Sequence, residues 1–302
     1  MPNNRTPFYL GRGDGGGLFI ADHRYISGNV WFVDSEHANA GDTVGKGQSP
    51  DAPFATLNYA ALQAQADNGD TILLAPGHAE SISTAGATSI STNGLHIVGG
   101  GVGRGRPTFT ITATAGSFDI GADNTIIENI VFMPGVDAVE EIMNISGSDV
   151  TLNNCEFELA PSSSLQATIG ITMAANSDRC MLKNLHMHGV SNAGVDHAVS
   201  FNACDDLSII GCRIAGSFST NGVIENLASA INFYAVDNLI INYTANANNS
   251  IIRLNNSTSG MIANNRVGIL DSTAPAPFTA ANAFVGGNYG ASTIGTAAAT
   301  LI

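Results

Sequence analysis

NGDTILLAPGHAESISTAGATSISTNGLHIVGGGVGRGRP, residues 68 to 107, is the stretch whose reading decides the fold. It opens on Gly69-Asp70, runs through the apolar Thr71–Ala75 and turns at Pro76-Gly77. A second short run, Leu95–Val98, ends in a block of glycines. Apolar runs this short, bounded by Gly, Pro, Asn and Asp, are strands joined by tight corners. The pattern recurs with variations to about residue 270. A short period sustained over such a length marks a solenoid, in which each turn of chain buries its apolar residues against the next.

Working outward, six segments align on one another: TIIENIVF (125–132), VTLNNCEF (150–157), CMLKNLHM (180–187), LSIIGCRI (207–214), NLIINYTA (238–245) and GMIANNRV (260–267). Their fifth positions are Asn129, Asn154, Asn184, Gly211, Asn242 and Asn264. Asn and Gly tolerate the left-handed backbone that a tight corner requires. An Asn stacked on an Asn one layer away can also hydrogen-bond along the stack. These six residues are expected to form a structural corner ladder. The third positions (Ile127, Leu152, Leu182, Ile209, Ile240, Ile262) and the eighth (Phe132, Phe157, Met187, Ile214, Ala245, Val267) are apolar and point inward. An earlier strand belongs to each repeat: SFDIG (117–121), IMNIS (142–146), IGITM (169–173), AVSFN (198–202), AINFY (230–234) and IIRLN (251–255). Insertions then fall at 160–168 and 217–229. The whole makes roughly eight to ten layers and, at ~4.8 Å per layer, a rod of about 40–50 Å.

The flanks divide the chain into three parts. Residues 1–27 are an arm in which Gly13, Gly15, Gly16 and Gly17 oppose regular structure. Phe8, Tyr9, Leu10, Leu18, Phe19 and Ile20 give this arm apolar anchors for docking on a neighbouring subunit. Residues 28–270 are the solenoid, beginning with the strand GNVWFVD (28–34) and a polar loop (35–52). Residues 53–66, PFATLNYAALQAQA, read as a helix with Phe54, Leu57, Ala61 and Leu62 on one face. A helix here covers the open strand edges of the first layer. Residues 271–302, rich in Ala, Gly and Thr, break the pattern and are expected to be an extended or trimer-zippering tail rather than another layer.

The net charge is −14, with only two lysines, Lys46 and Lys183. That disfavours nonspecific affinity for nucleic acid or anionic lipid, which needs Lys and Arg to match phosphate, and neither is expected as a partner. Cys155, Cys180, Cys204 and Cys212 lack metal-type spacing and sit among apolar residues. They are expected as free, buried thiols. Cys155 and Cys212 fall in one column but two layers apart, beyond disulfide reach, which fits a reducing cytosol. Residues 1–17 carry no basic-then-apolar signal pattern, so export through a leader is not expected, and no apolar run has membrane-spanning length.

The Pro53–Thr56, Gly69–Ile72 and Ala75–Gly77 motifs, with their surroundings from about 30 to 270, resemble right-handed parallel β-helix proteins of the pectate-lyase-like superfamily. The resemblance implies an all-β, single-stranded right-handed parallel β-helix with an N-terminal cap helix. It leaves function open, because that superfamily holds polysaccharide lyases, glycosidases, phage tailspikes and noncatalytic virion proteins. This short version is most similar to the β-helix proteins of tailed phages.

Chemistry-bearing groups are sparse. Arg104-Gly105-Arg106-Pro107 departs in order and spacing from the R-x-P-x-x-R setting the resemblance implies for a lyase, and reads as a corner. Glu140-Glu141 and Asp205-Asp206 are adjacent pairs just outside strands, so solvated corners. His78 and Glu80, at a corner, read equally as solvated polar residues or as functional ones. His186, His188 and His197, with Asp196, are the one cluster of a type that binds a divalent metal or supplies a general base. The competing reading of this cluster is a merely polar exterior patch, and no catalytic residue, metal ligand or cofactor is assigned. The expected function is that of a noncatalytic structural virion protein, a capsid decoration, cement or head-fibre protein. It would be made in the host cytoplasm, form a homotrimer and contact a capsid or other virion protein. The alternative is a tailspike-like protein that binds or depolymerises polysaccharide.

Overall fold

The computed structural model describes residues 28–190, 194–219, 222–244, 250–269, 277–291 and 300–301. The arm residues Phe8, Tyr9, Leu10, Leu18, Phe19 and Ile20 lie outside the described residues. From Thr71 the chain coils through three sheets in turn. Thr71–Leu74 enters the first, Ala79–Ile82 the second, Thr88–Ile90 the third, and His96–Gly99 returns to the first. Among the described residues, the first and second sheets each hold ten strands and the third eight. Neighbours within each sheet pair in parallel, and Thr300–Leu301 adds an antiparallel strand at one end. The chain is an all-β, right-handed parallel β-helix.

Inside it, side chains of one type stack in columns because parallel, in-register strands place equivalent residues one above another. Phe109, Phe132 and Phe157 are consecutive register partners. Their rings stack at 5.8 and 5.0 Å. Phe118, from the third sheet, meets Phe132 edge-on at 5.0 Å. All four are fully buried.

The corner between the first and second sheets is the one the asparagines mark. Asn129, Asn154, Asn184, Gly211 and Asn264 all have positive φ, between 53° and 66°. The Asn154 amide donates to Asn129 Oδ1 at 3.2 Å. Asn129 in turn donates to the carbonyls of Gly99 and Gly101. Gly99 must be glycine for this: a Cβ there would lie 2.3 Å from the Asn129 carbonyl oxygen.

Asn242 does not belong to this ladder. Asp237, with φ 59°, fills the corner between Gly211 and Asn264. Ser208, Ile209 and Ile210 pair with Tyr234, Ala235 and Val236, so the fifth segment begins five residues earlier than the sequence alignment placed it. Asn242 instead ends a strand of the second sheet, buried, where its Oδ1 accepts from the Phe218 and Thr244 amides. The same slip misplaced AINFY. Phe233–Val236 is a first-sheet strand, and Gly222–Asn226, expected as insertion, is the third-sheet strand of that layer.

The helix is shorter than residues 53–66, running Leu57–Gln63. Thr56 is its N-cap, accepting from the Tyr59 amide. Asp42 accepts from the Ala55 and Thr56 amides and the Thr56 hydroxyl, which holds the approach extended. Pro53 therefore lies ahead of the helix rather than in its first turn. Leu57, Ala60 and Ala61 are buried, while Leu62 points outward, 60% exposed. The helix does cover an edge: Asn58 accepts from the Ser89 amide, and Thr92 donates to the Ala61 carbonyl, at the first strand of the third sheet.

The solenoid does not stop at 270. Phe278–Thr279, Asn282–Gly286 and Tyr289–Ala291 extend the third, first and second sheets in parallel register. Gly287, with φ 69°, takes the corner position. This part of the expected tail is a further layer, built because Gly287-Asn288 repeats the corner of Asn264-Asn265.

All four cysteines are free and buried. Burial pushes the Cys155 and Cys180 thiols up to about 12 and those of Cys204 and Cys212 up to about 11. Protonated and enclosed thiols are poor nucleophiles. Ellman's reagent at pH 8 is expected to modify none of them in the native protein and all four after denaturation. Rapid labelling of the native chain would contradict this packing.

Candidate functional site

On the outer face of the second sheet the chain brings together Glu156, His186 and His188. Glu156 begins the strand Glu156–Ala160, and the next layer contributes His186–Gly189. Glu156 is the register partner of His186, and Phe157 of Met187. Phe157 and Met187 are buried, so the alternation of a strand turns Glu156 and both histidines outward. His188 Nε2 lies 2.9 Å from Glu156 Oε1, and His186 Nδ1 lies 3.8 Å from the same oxygen. The two imidazole rings are 4.8 Å apart and tilted by 34°. Arg106 Nη2 pairs with Glu156 Oε2 from two layers away.

Burial alone would raise the Glu156 carboxyl. Hydrogen bonds from His188 and Arg106, with the Arg106 charge, outweigh it and hold the group below its ordinary value. Burial, and then the proximity of His188, pushes His186 down, favouring its neutral form. The group offers one anionic oxygen and two imidazole nitrogens on a surface open to solvent.

His197 is not part of this cluster. It lies in the third sheet, on the strand His197–Phe201, where its Nδ1 donates to the Gly222 carbonyl and stands 3.6 Å from Glu225 Oε2. Glu225 Oε1 accepts from Arg253 one layer on. Asp196 accepts from the Ser219 hydroxyl. Glu156 was missed because it sits one repeat before the histidines. The signal was present all the same: in the aligned segments Glu156 and His186 both occupy the seventh position.

The other acidic groups work between layers. Glu128 is bound by His96 and Asn153, and Asp149 by Nε and Nη2 of Arg179. Asp205 accepts from the Ile231 amide and Asp206 from the Asn232 amide nitrogen, so this pair does form a corner. Glu140 and Glu141 lie inside the strand Val139–Ile145, not outside one. Burial, with the charges of Asp119 and Glu140, pushes Glu141 up. His78 and Glu80 are structural ties rather than solvated residues. Buried His78 accepts from the Ser35 amide at Nδ1 and so donates through Nε2 to Glu80, which also accepts from the Leu57 amide at the start of the helix.

These carboxylates set an acid limit. The His96 hydrogen bond lowers Glu128; backbone hydrogen bonds from Gln65 and Asn29 lower Asp70 against the opposing effect of burial; Glu156 is lowered as described. A depressed carboxyl contributes its full stability above its unfolded value and loses it as pH falls through the folded value. Glu141 has the opposite sign, its cost being relieved as it protonates. The melting temperature is therefore expected to hold from pH 7 to about 5 and to fall steeply below the ordinary glutamate value of 4.5. A melting temperature unchanged between pH 7 and 3 would show that these bonds contribute nothing.

No family model matches the chain, and no curated protein sequence matches it. Among solved structures it is similar to a rhamnogalacturonan lyase at 12% identity, covering 86% of this chain and 87% of that one, with a TM-score of 0.46. It is similar to the pectate lyase Pel9A at 15% identity, covering 85% and 79%, with a TM-score of 0.46. It is also similar to the GH136 lacto-N-biosidase from Eubacterium ramulus at 13% identity, covering 87% of this chain and 56% of that one, with a TM-score of 0.38. Likeness at this level carries nothing about chemistry.

Proposed function

We propose that the chain is a noncatalytic structural protein of a virion, a capsid decoration or head-fibre protein acting as a homotrimer. The observation that supports it most is the use of the charged side chains. Glu128, Asp149, Glu156 and Glu225 each bind a residue of another layer, through His96, Arg179, Arg106 with His188, and Arg253. Such bonds tie successive turns together and suit a rigid rod. The apolar arm of residues 1–27 and the resemblance to β-helix proteins of tailed phages support placing that rod on a particle. Imaging of particles with and without the protein tests the reading, and density for a trimeric rod on the capsid is the expected result. Removal of residues 1–27 is expected to abolish docking while leaving the β-helix folded. Release of reducing sugar or unsaturated uronate from a polysaccharide panel would overturn it.

One feature favours the alternative of a polysaccharide-binding protein. Tyr234, Met261 and Phe284 are consecutive register partners on the outer face of the first sheet, with Tyr234 37% and Phe284 64% exposed. Flat apolar rings repeated along a rod can stack on sugars. Glycan binding lost in Tyr234→Ala and Phe284→Ala would favour this reading.

A further inference from the structure

We infer that Glu156, His186 and His188 form a surface site for one divalent transition-metal ion of the zinc class, held across two successive layers of the second sheet. The fold assembles the ligands without help from a loop. The two histidines leave the same face of one strand, and buried Met187 between them anchors that strand so that neither ring turns inward. Glu156 is fixed opposite His186 by the parallel register. One nitrogen from each ring and one carboxylate oxygen lie within 4.8 Å of one another. Ligands about 2.0–2.1 Å from a tetrahedral zinc stand roughly 3.4 Å apart. The widest pair therefore closes by at most about 1.4 Å and the His188–Glu156 pair, at 2.9 Å, opens by about 0.5 Å, movements that side-chain rotation supplies at an accessible surface.

The donor set selects the ion. Two imidazoles and a carboxylate suit zinc, nickel or copper, whereas calcium and magnesium take shells of oxygen. Arg106 engages Oε2 and leaves Oε1 facing the histidines. A hydrogen-bonded partner of this kind orients a ligating carboxylate. Arg106, and Arg213 beside His186 in the next layer, also place positive charge near the ion and moderate its affinity. Three protein ligands leave a coordination position open, filled by water or by a group of a docking partner.

The test uses full-length protein without a polyhistidine tag, stripped with chelator and titrated with zinc chloride in a calorimeter, with elemental analysis after dialysis. One zinc per chain is expected. His186→Ala/His188→Ala is expected to weaken binding at least 10-fold, and His197→Ala to leave it unchanged. Circular dichroism checks that each variant folds. If the double variant does not, Glu156→Gln is measured instead, with the same direction of loss. No zinc bound by the wild-type chain, equal binding by a folded double variant, or calcium bound as tightly as zinc would each overturn the site. None of these outcomes depends on where the protein is used, so failure here leaves the structural reading standing and success does not require it.

Discussion

Phe132→Ala is expected to lower the unfolding free energy by about 4–5 kcal/mol, at the upper end for a buried phenylalanine. The ring meets Phe109 and Phe157 in the layers on either side and Phe118 from the facing sheet, all within 5.8 Å. Each such aromatic pair adds about 0.5–1.5 kcal/mol beyond the area it buries. The cavity cannot relax by bringing the layers together, because parallel hydrogen bonding fixes their spacing at ~4.8 Å. Phe132→Leu keeps most of the volume and loses the ring contacts, so about 1–2 kcal/mol is expected. Urea unfolding followed by circular dichroism measures both. A loss below about 2 kcal/mol for the alanine variant would show that neighbouring rings move in to fill the space, and that the stack is looser than the register makes it.

How much of this was legible in sequence follows from what the side chains share. The corner asparagines stood out because one residue type recurs at one backbone conformation. The alignment slipped where the corner residue changed to Asp237, which adopts the same positive φ, and Asn242 stood five residues later with apolar neighbours of the right kind. A second positive-φ corner, ahead of the first sheet, passed unnoticed. It is occupied in successive layers by Gly94, Asn124, Asp149, Arg179, Asp206 and Asn232. No single residue type marks it; even Arg179, which pairs with Asp149 of the preceding layer, adopts it. The helix was overextended because the periodicity of Phe54 and Leu62 says nothing of Asp42, whose carboxylate reaches the helix start from the preceding loop.

The candidate site was half legible for a related reason. His186 and His188 share a strand face by simple alternation, and that much needs no structure. Glu156 joins them only through register between layers, and His197 leaves them because Asp196-His197 opens a strand of a different sheet. Proximity along the chain was the wrong guide here; position within the repeat was the right one.

The same principle governs a column hidden from sequence entirely, and it carries the second large expected effect. The residue after the corner points inward and is, layer by layer, Ile130, Cys155, Leu185, Cys212, Asn238, Asn265 and Asn288, all buried. Their chemistry differs, yet five of them serve one backbone feature. The Cys155 and Cys212 thiols donate to the carbonyls of Ile127 and Leu182, and the Asn238, Asn265 and Asn288 amides donate to those of Ile209, Ala235 and Ile262. In each case the acceptor is the third-position residue of the preceding layer. Asn265 spends all its bonding capacity. Its Oδ1 accepts from the amide and the side chain of Asn238, and its Nδ2 donates to Ala235 and to Asn288. Asn265→Leu preserves the volume but removes these four bonds where no water reaches, so a loss of about 4–6 kcal/mol is expected, since each bond contributes ~1 kcal/mol and a buried group left unpaired costs more. Asn265→Asp keeps the acceptor and loses both donors, setting a carboxylate against the Ala235 carbonyl and the Asn288 side-chain oxygen. Its loss at pH 7 is expected to match that of leucine. Because burial favours the protonated acid, stability should partly return as pH falls toward 5. Layers of a solenoid couple to their neighbours, so the damage is expected to appear first as faster amide exchange from Ser259 onward. An aspartate variant as stable as wild type at pH 7, or exchange that quickens evenly along the rod, would show that the amide column does not hold the last layers in place.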